Sequence, residues 1–79
     1  MAVKRSIPAA DIQKYLEQVL KRHACVDVIV TRVYELETKA SNWNADCAHK
    51  SGIPIPKDCL SIFETAKRDL QNRYTLLVD

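Results

Sequence analysis

The hydrophobic period of this chain changes twice, and that change limits the folds open to it. Ile12, Tyr15, Leu16, Val19 and Leu20 recur at i, i+3, i+4, i+7 and i+8, one apolar stripe at helical spacing. Pro8 suits a first helical turn and Ser6 is a candidate cap, so the spacing predicts a helix beginning near Pro8. Past His23 the period falls to two. Cys25 to Leu36 is rich in β-branched and aromatic residues, with Val26, Val28, Val30, Tyr34 and Leu36 on one parity. After the polar stretch Glu37 to Ser41, alternation resumes with Trp43, Ala45, Cys47 and His49 on one face. Helical spacing then returns in Cys59, Ile62, Phe63, Ala66 and Leu70.

The two alternating runs read as antiparallel strands. Directly opposed residues share a face, so Trp43 is expected beside Tyr34 and Cys47 beside Val30. Lys50 to Pro56 holds the only glycine and two of the three prolines and reads as a loop, with Asp58 as candidate cap for the second helix. Thr75 to Val78 is apolar and β-prone, either a short third strand or a tail packed over the core. The expected fold is α+β and two-layered: an antiparallel hairpin covered on one face by two helices, in the order α-β-β-α. Residues 1–79 form one domain, with 1–6 expected to be flexible.

The bulk numbers exclude several classes. Twelve Lys+Arg against 10 Asp+Glu give a net charge of +2, too weak to name an anionic partner. With 47% hydrophobic residues the chain is not a disordered one. No apolar run approaches the ~20 residues of a membrane span, and none follows the basic Lys4-Arg5 as a secretory leader requires. Three cysteines are an odd number and few for a disulfide scaffold, which points to a reducing cytoplasm.

Chemistry-bearing residues are sparse. His23 with Cys25 and Cys47 with His49 form two His/Cys pairs, the raw material of a zinc site. Each pair has one intervening residue, and in the expected register His49 lies opposite Val28, about 10 Å along the strand from Cys25. The cysteines are therefore expected as small buried hydrophobes, with no metal and no cofactor. Cys59, near a helix start and Lys57, is the best candidate nucleophile, but it lies on the apolar stripe. No oxyanion or phosphate-binding motif accompanies it, and the chain is read as no enzyme. Trp43 is expected in the core, its indole N–H served near the strand end; the competing reading is an exposed anchor.

Asn42-Trp-Asn-Ala45, Pro54-Ile-Pro56, Cys59, Ala66-Lys-Arg-Asp-Leu70 and Tyr74-Thr-Leu76 together resemble a group of small uncharacterised bacterial proteins, over roughly residues 10–77. The resemblance implies the α-β-β-α layout and a bacterial cytoplasm, and carries over no functional residue. The order of elements also resembles the double-stranded-RNA-binding domain, with Arg32 to Leu36 at its first strand. The second helix, however, lacks that family's lysine-rich start.

The expected function is a non-enzymatic protein-interaction domain, binding an unidentified protein or a second copy of itself. Its expected surface is the outer face of the first strand: Ile29, Thr31, Val33 and Glu35. The alternative is weak nucleic-acid binding by Lys14, Lys21 and Arg22 on the first helix, provided that no carboxylate intervenes.

Overall fold

A computed structural model describes residues 4–77. The elements are β1 (Arg5–Ile7), α1 (Ala9–Arg22), β2 (Val28–Glu35), β3 (Trp43–His49), α2 (Lys57–Arg73) and β4 (Tyr74–Leu76). The fold is a small α+β domain. β2 and β3 form an antiparallel hairpin; α1 packs against β2, α2 against β3, and the helices against each other.

Apolar periodicity places the helices. On α1 the row Ile12, Leu16 and Leu20 is buried; on α2 Phe63 and Leu70 are. These meet Val28, Val30, Trp43 and Ala45 from the hairpin in one core. Trp43 is 0% exposed, so it belongs to the core. Neither helix is capped as expected. Pro8 and Pro56 occupy the N-cap positions without a side-chain cap bond, and Asp58 lies inside the first turn of α2. The Ser6 hydroxyl instead pairs with that of Thr75, 2.8 Å away.

The N-terminal segment is a correction. Within the expected flexible stretch 1–6, Arg5 and Ser6 belong to β1, while residues 1–3 lie outside the described residues. β1 pairs in parallel with β4, Ile7 opposite Leu76, so the C-terminal strand joins β1 rather than the hairpin. A three-residue strand with a distant partner leaves no periodic trace, which is why Arg5 and Ser6 read as a tail.

Side chains tie the two sheets together. Successive residues of a strand direct their backbone groups to opposite edges. On one edge of β4 the Leu77 N–H donates to the Ile7 carbonyl at 2.8 Å. On the other, Ser41 Oγ (2.8 Å) and the Trp43 indole N–H (3.2 Å) both donate to the Tyr74 carbonyl. Asn42 copies a neighbouring strand there: its Oδ1 accepts from the Leu76 N–H at 2.8 Å and its Nδ2 donates to the Leu76 carbonyl at 3.2 Å. Buried Gln71 donates to the Trp43 carbonyl at 2.7 Å. Lys4 Nζ donates to the carbonyls of Ala40 and Gln71, closing the same seam from the N-terminal side.

The hairpin register is half as expected. Val30 opposes Cys47 and Val28 opposes His49. A bulge between Val30 and Arg32 then shifts the pairing by one, so Trp43 opposes Glu35 instead of Tyr34. One extra residue reverses which parity faces the core.

The cysteines are the second correction. Cys25 and Cys59 form a disulfide, their Cα atoms 5.9 Å apart, and Cys47 is free. Cys25 follows the end of α1, Cys59 lies in the first turn of α2, and Tyr15 of α1 stacks on Tyr74 just past α2. The helices therefore run antiparallel, which brings together cysteines 34 residues apart. The inference from cysteine count to a reducing compartment loses its premise. Among the described residues, no helix is long and apolar enough to cross a membrane.

Candidate interaction groove

The expected surface on β2 does not exist as one patch. Ile29 opposes Ala48 on the outer face, while Val33 opposes buried Ala45 and Glu35 opposes buried Trp43 on the core side. Thr31 sits at the bulge that separates them. The outer face beyond the bulge carries Arg32, Tyr34, Asn44 and Asp46 instead. Arg32 Nε donates to Asp46 at 2.8 Å and its guanidinium lies 4.2 Å from the centre of the Tyr34 ring. The hydrogen bond to Asp46, ahead of the other influences, raises the Arg32 pKa. This face is polar and internally paired, a poor base for apolar docking.

The basic residues of α1 are exposed but not carboxylate-free. Lys14 and Lys21, seven positions apart, share a helix face, and Glu17 lies between them within one turn of each. Asp11 lines a small recess with Lys14, Tyr15 and Gln18. The proviso attached to the nucleic-acid reading is not met.

The metal candidates are not brought together. Cys25 is committed to the disulfide, exposed His23 caps α1, and Cys47 and His49 lie on β3, where His49 Nδ1 accepts from the Ser51 N–H at 3.1 Å. Among the described residues no three of His, Cys, Asp or Glu are placed to hold a metal ion. Cys59, bonded to Cys25, has no free thiol, and burial pushes the Cys47 thiol up, away from the thiolate that nucleophilic chemistry needs.

A groove of about 580 Å³ runs between α1 and α2. Its lining comes from α1, its C-cap and α2 alone. Each helix carries two parallel apolar rows. The first row on each is the buried one described above. The second, Tyr15 and Val19 on α1 with Ile62 and Ala66 on α2, lines the groove, with buried Leu70 at its floor. Tyr15 is 46% exposed, its ring held parallel to that of Tyr74 at 6.4 Å. Arg22 and His23 stand at the end nearer the disulfide. Arg73 stands toward the other, its Nε 3.4 Å from Asp69. The rim thus carries the Arg73–Asp69 pair, His23, and Arg22, which has no ion-pair partner among the described residues.

Sequence reasoning missed this site, although its signal was present. The α1 stripe of five apolar residues is wider than one buried row needs, and Tyr15 and Val19 are the surplus. No protein-family model, curated protein or solved structure matches the chain.

Proposed function

We propose that this chain is a non-enzymatic protein-interaction domain, and that the groove between α1 and α2 receives an apolar, acid-flanked helical segment of another protein. The observation that carries this reading is the second apolar row on each helix, half-buried along the groove with Tyr15 exposed and Arg22 on the rim. Along α1 the lining spans Tyr15 to His23, eight residue steps or about 12 Å; along α2 it spans Ser61 to Arg73, twelve steps or about 18 Å. That length suits two to three turns of a guest helix with apolar side chains at i, i+4 and i+7. Arg22 and Arg73 near the two ends suit carboxylates flanking those anchors. A second copy of the chain is the poorer guest, because it sets two cationic rims face to face.

The test is fluorescence anisotropy with a synthetic peptide of roughly 12 residues, leucines along one face and glutamates at both ends. The wild-type chain binds it, and Thr65→Trp, which fills the groove from an exposed position, weakens binding at least about tenfold with circular dichroism unchanged. Equal binding by both proteins overturns the reading. Binding to duplex RNA or DNA with a steep salt slope, abolished by reversing Lys14 and Lys21, replaces it with the nucleic-acid alternative.

A further inference from the structure

The disulfide sits at one end of the groove, where it joins the close of α1 to the opening turn of α2. Cys25 ends the α1 turn. Its N–H donates to the Leu20 carbonyl at 2.8 Å and the Ala24 N–H to that of Lys21 at 3.1 Å, with Ala24 left-handed at φ 61°. This is the hydrogen-bond pattern of a Schellman termination, with alanine where glycine is the unstrained choice. Arg22 and His23, which line the groove, immediately precede that turn.

On the other side, α2 opens with Lys57, Asp58, Cys59 and Leu60, of which Cys59 alone is turned inward. Pro56 gives this turn no side-chain cap. Ser61 and Ile62, the first groove residues of α2, follow directly. The first turn of α2 therefore depends on the sulfur bridge to a degree that the rest of the helix, anchored by Phe63 and Leu70, does not.

We propose that the Cys25–Cys59 bond is a redox latch that sets the groove, closed and binding-competent when oxidised, open at its Arg22 end when reduced. The proposal rests on the groove being a docking site. The co-reactant is a dithiol reductant. Its thiolate attacks Sγ of Cys59, the more exposed residue of the pair, releasing Cys25 as a thiolate that takes up a proton. The second thiol of the reductant then closes its own disulfide and frees Cys59 as a thiol. Two electrons and two protons pass to the chain, and the reductant leaves oxidised. Cys25 is the more buried of the pair. Cys47 stands outside the cycle, since burial keeps its thiol protonated and a poor nucleophile toward the bridge. In a reducing compartment a bond of this kind is transient, which is what a latch requires.

The experiment compares the full oxidised chain with the same chain held in excess dithiothreitol. Amide hydrogen exchange is followed across α2 and the hairpin, Trp43 emission reports the core, and the leucine–glutamate peptide reports binding. On reduction the amides of residues 59–62 should exchange at least about tenfold faster. Trp43 emission stays blue, and the peptide affinity falls at least about tenfold, returning on reoxidation. Peptide binding and exchange that both ignore reduction overturn the latch. A red shift of Trp43 emission on reduction overturns it too, since the bond is then a staple for the whole fold. Exchange that responds while the peptide binds neither form overturns the docking role of the groove instead, and the latch with it.

Discussion

Breaking the Cys25–Cys59 bond should lower the stability of the domain without unfolding it. The bond closes a loop across 34 residues of sequence separation. Loop-closure entropy for that length is close to 12.6 cal/mol/K, or about 3.8 kcal/mol at 25 °C. A domain of this size has a total stability of about 4–12 kcal/mol. The loss is thus a large fraction, and what then holds the chain is the packing of Ile12, Leu16, Leu20, Phe63 and Trp43 around Cys25. At about 4–8 °C per kcal/mol, the midpoint of thermal unfolding falls by about 15–30 °C. The assay is calorimetry on oxidised and reduced samples, with thiol titration confirming one free thiol in the first and three in the second. A fall of less than about 4 °C, equivalent to under 1 kcal/mol, refutes the loop-entropy reasoning.

Three further perturbations test the framework. Asn42→Ala removes both side-chain bonds to Leu76 and should cost about 1–3 kcal/mol in denaturant unfolding, while a cost under about 0.5 kcal/mol would mean that the second edge of β4 needs no partner. Ala24→Gly relieves the left-handed alanine in the α1 termination and should raise stability by about 1 kcal/mol, with a loss contradicting the strain. Cys47 has its thiol raised mainly by burial and secondarily by Glu64, so in the oxidised protein its alkylation should follow a pH–rate profile whose midpoint lies above that of free cysteine. The sign follows from linkage: the neutral thiol is favoured on folding, so this contribution is whole below the unfolded thiol pKa and is lost as pH climbs through the folded one. A profile matching free cysteine would place Cys47 in solvent.

Much of the fold was legible because it rests on periodicity. The buried rows of α1 and α2 and the Val30–Cys47 pairing follow from spacing alone. The bulge at Thr31 was not legible, since no glycine or proline marks it, and it divided the surface expected from Ile29, Thr31, Val33 and Glu35. β1 escaped because a short parallel strand draws its pattern from a partner at the far end of the chain. The Cys25–Cys59 bond escaped because spacing does not tell which ends of two helices meet. The groove was half legible: its residues were recognised as apolar, but a stripe counted as a single core row hides the second row beside it.

Where a guest segment lands decides whether the groove is a docking site. Nuclear magnetic resonance titration of the oxidised, isotope-labelled chain with the leucine–glutamate peptide measures this directly. Shift changes should concentrate on Tyr15, Val19, Arg22, Ile62, Thr65 and Ala66, leaving Ile29, Tyr34 and Ala48 still. Changes centred on those hairpin residues, or none at millimolar peptide, would contradict it.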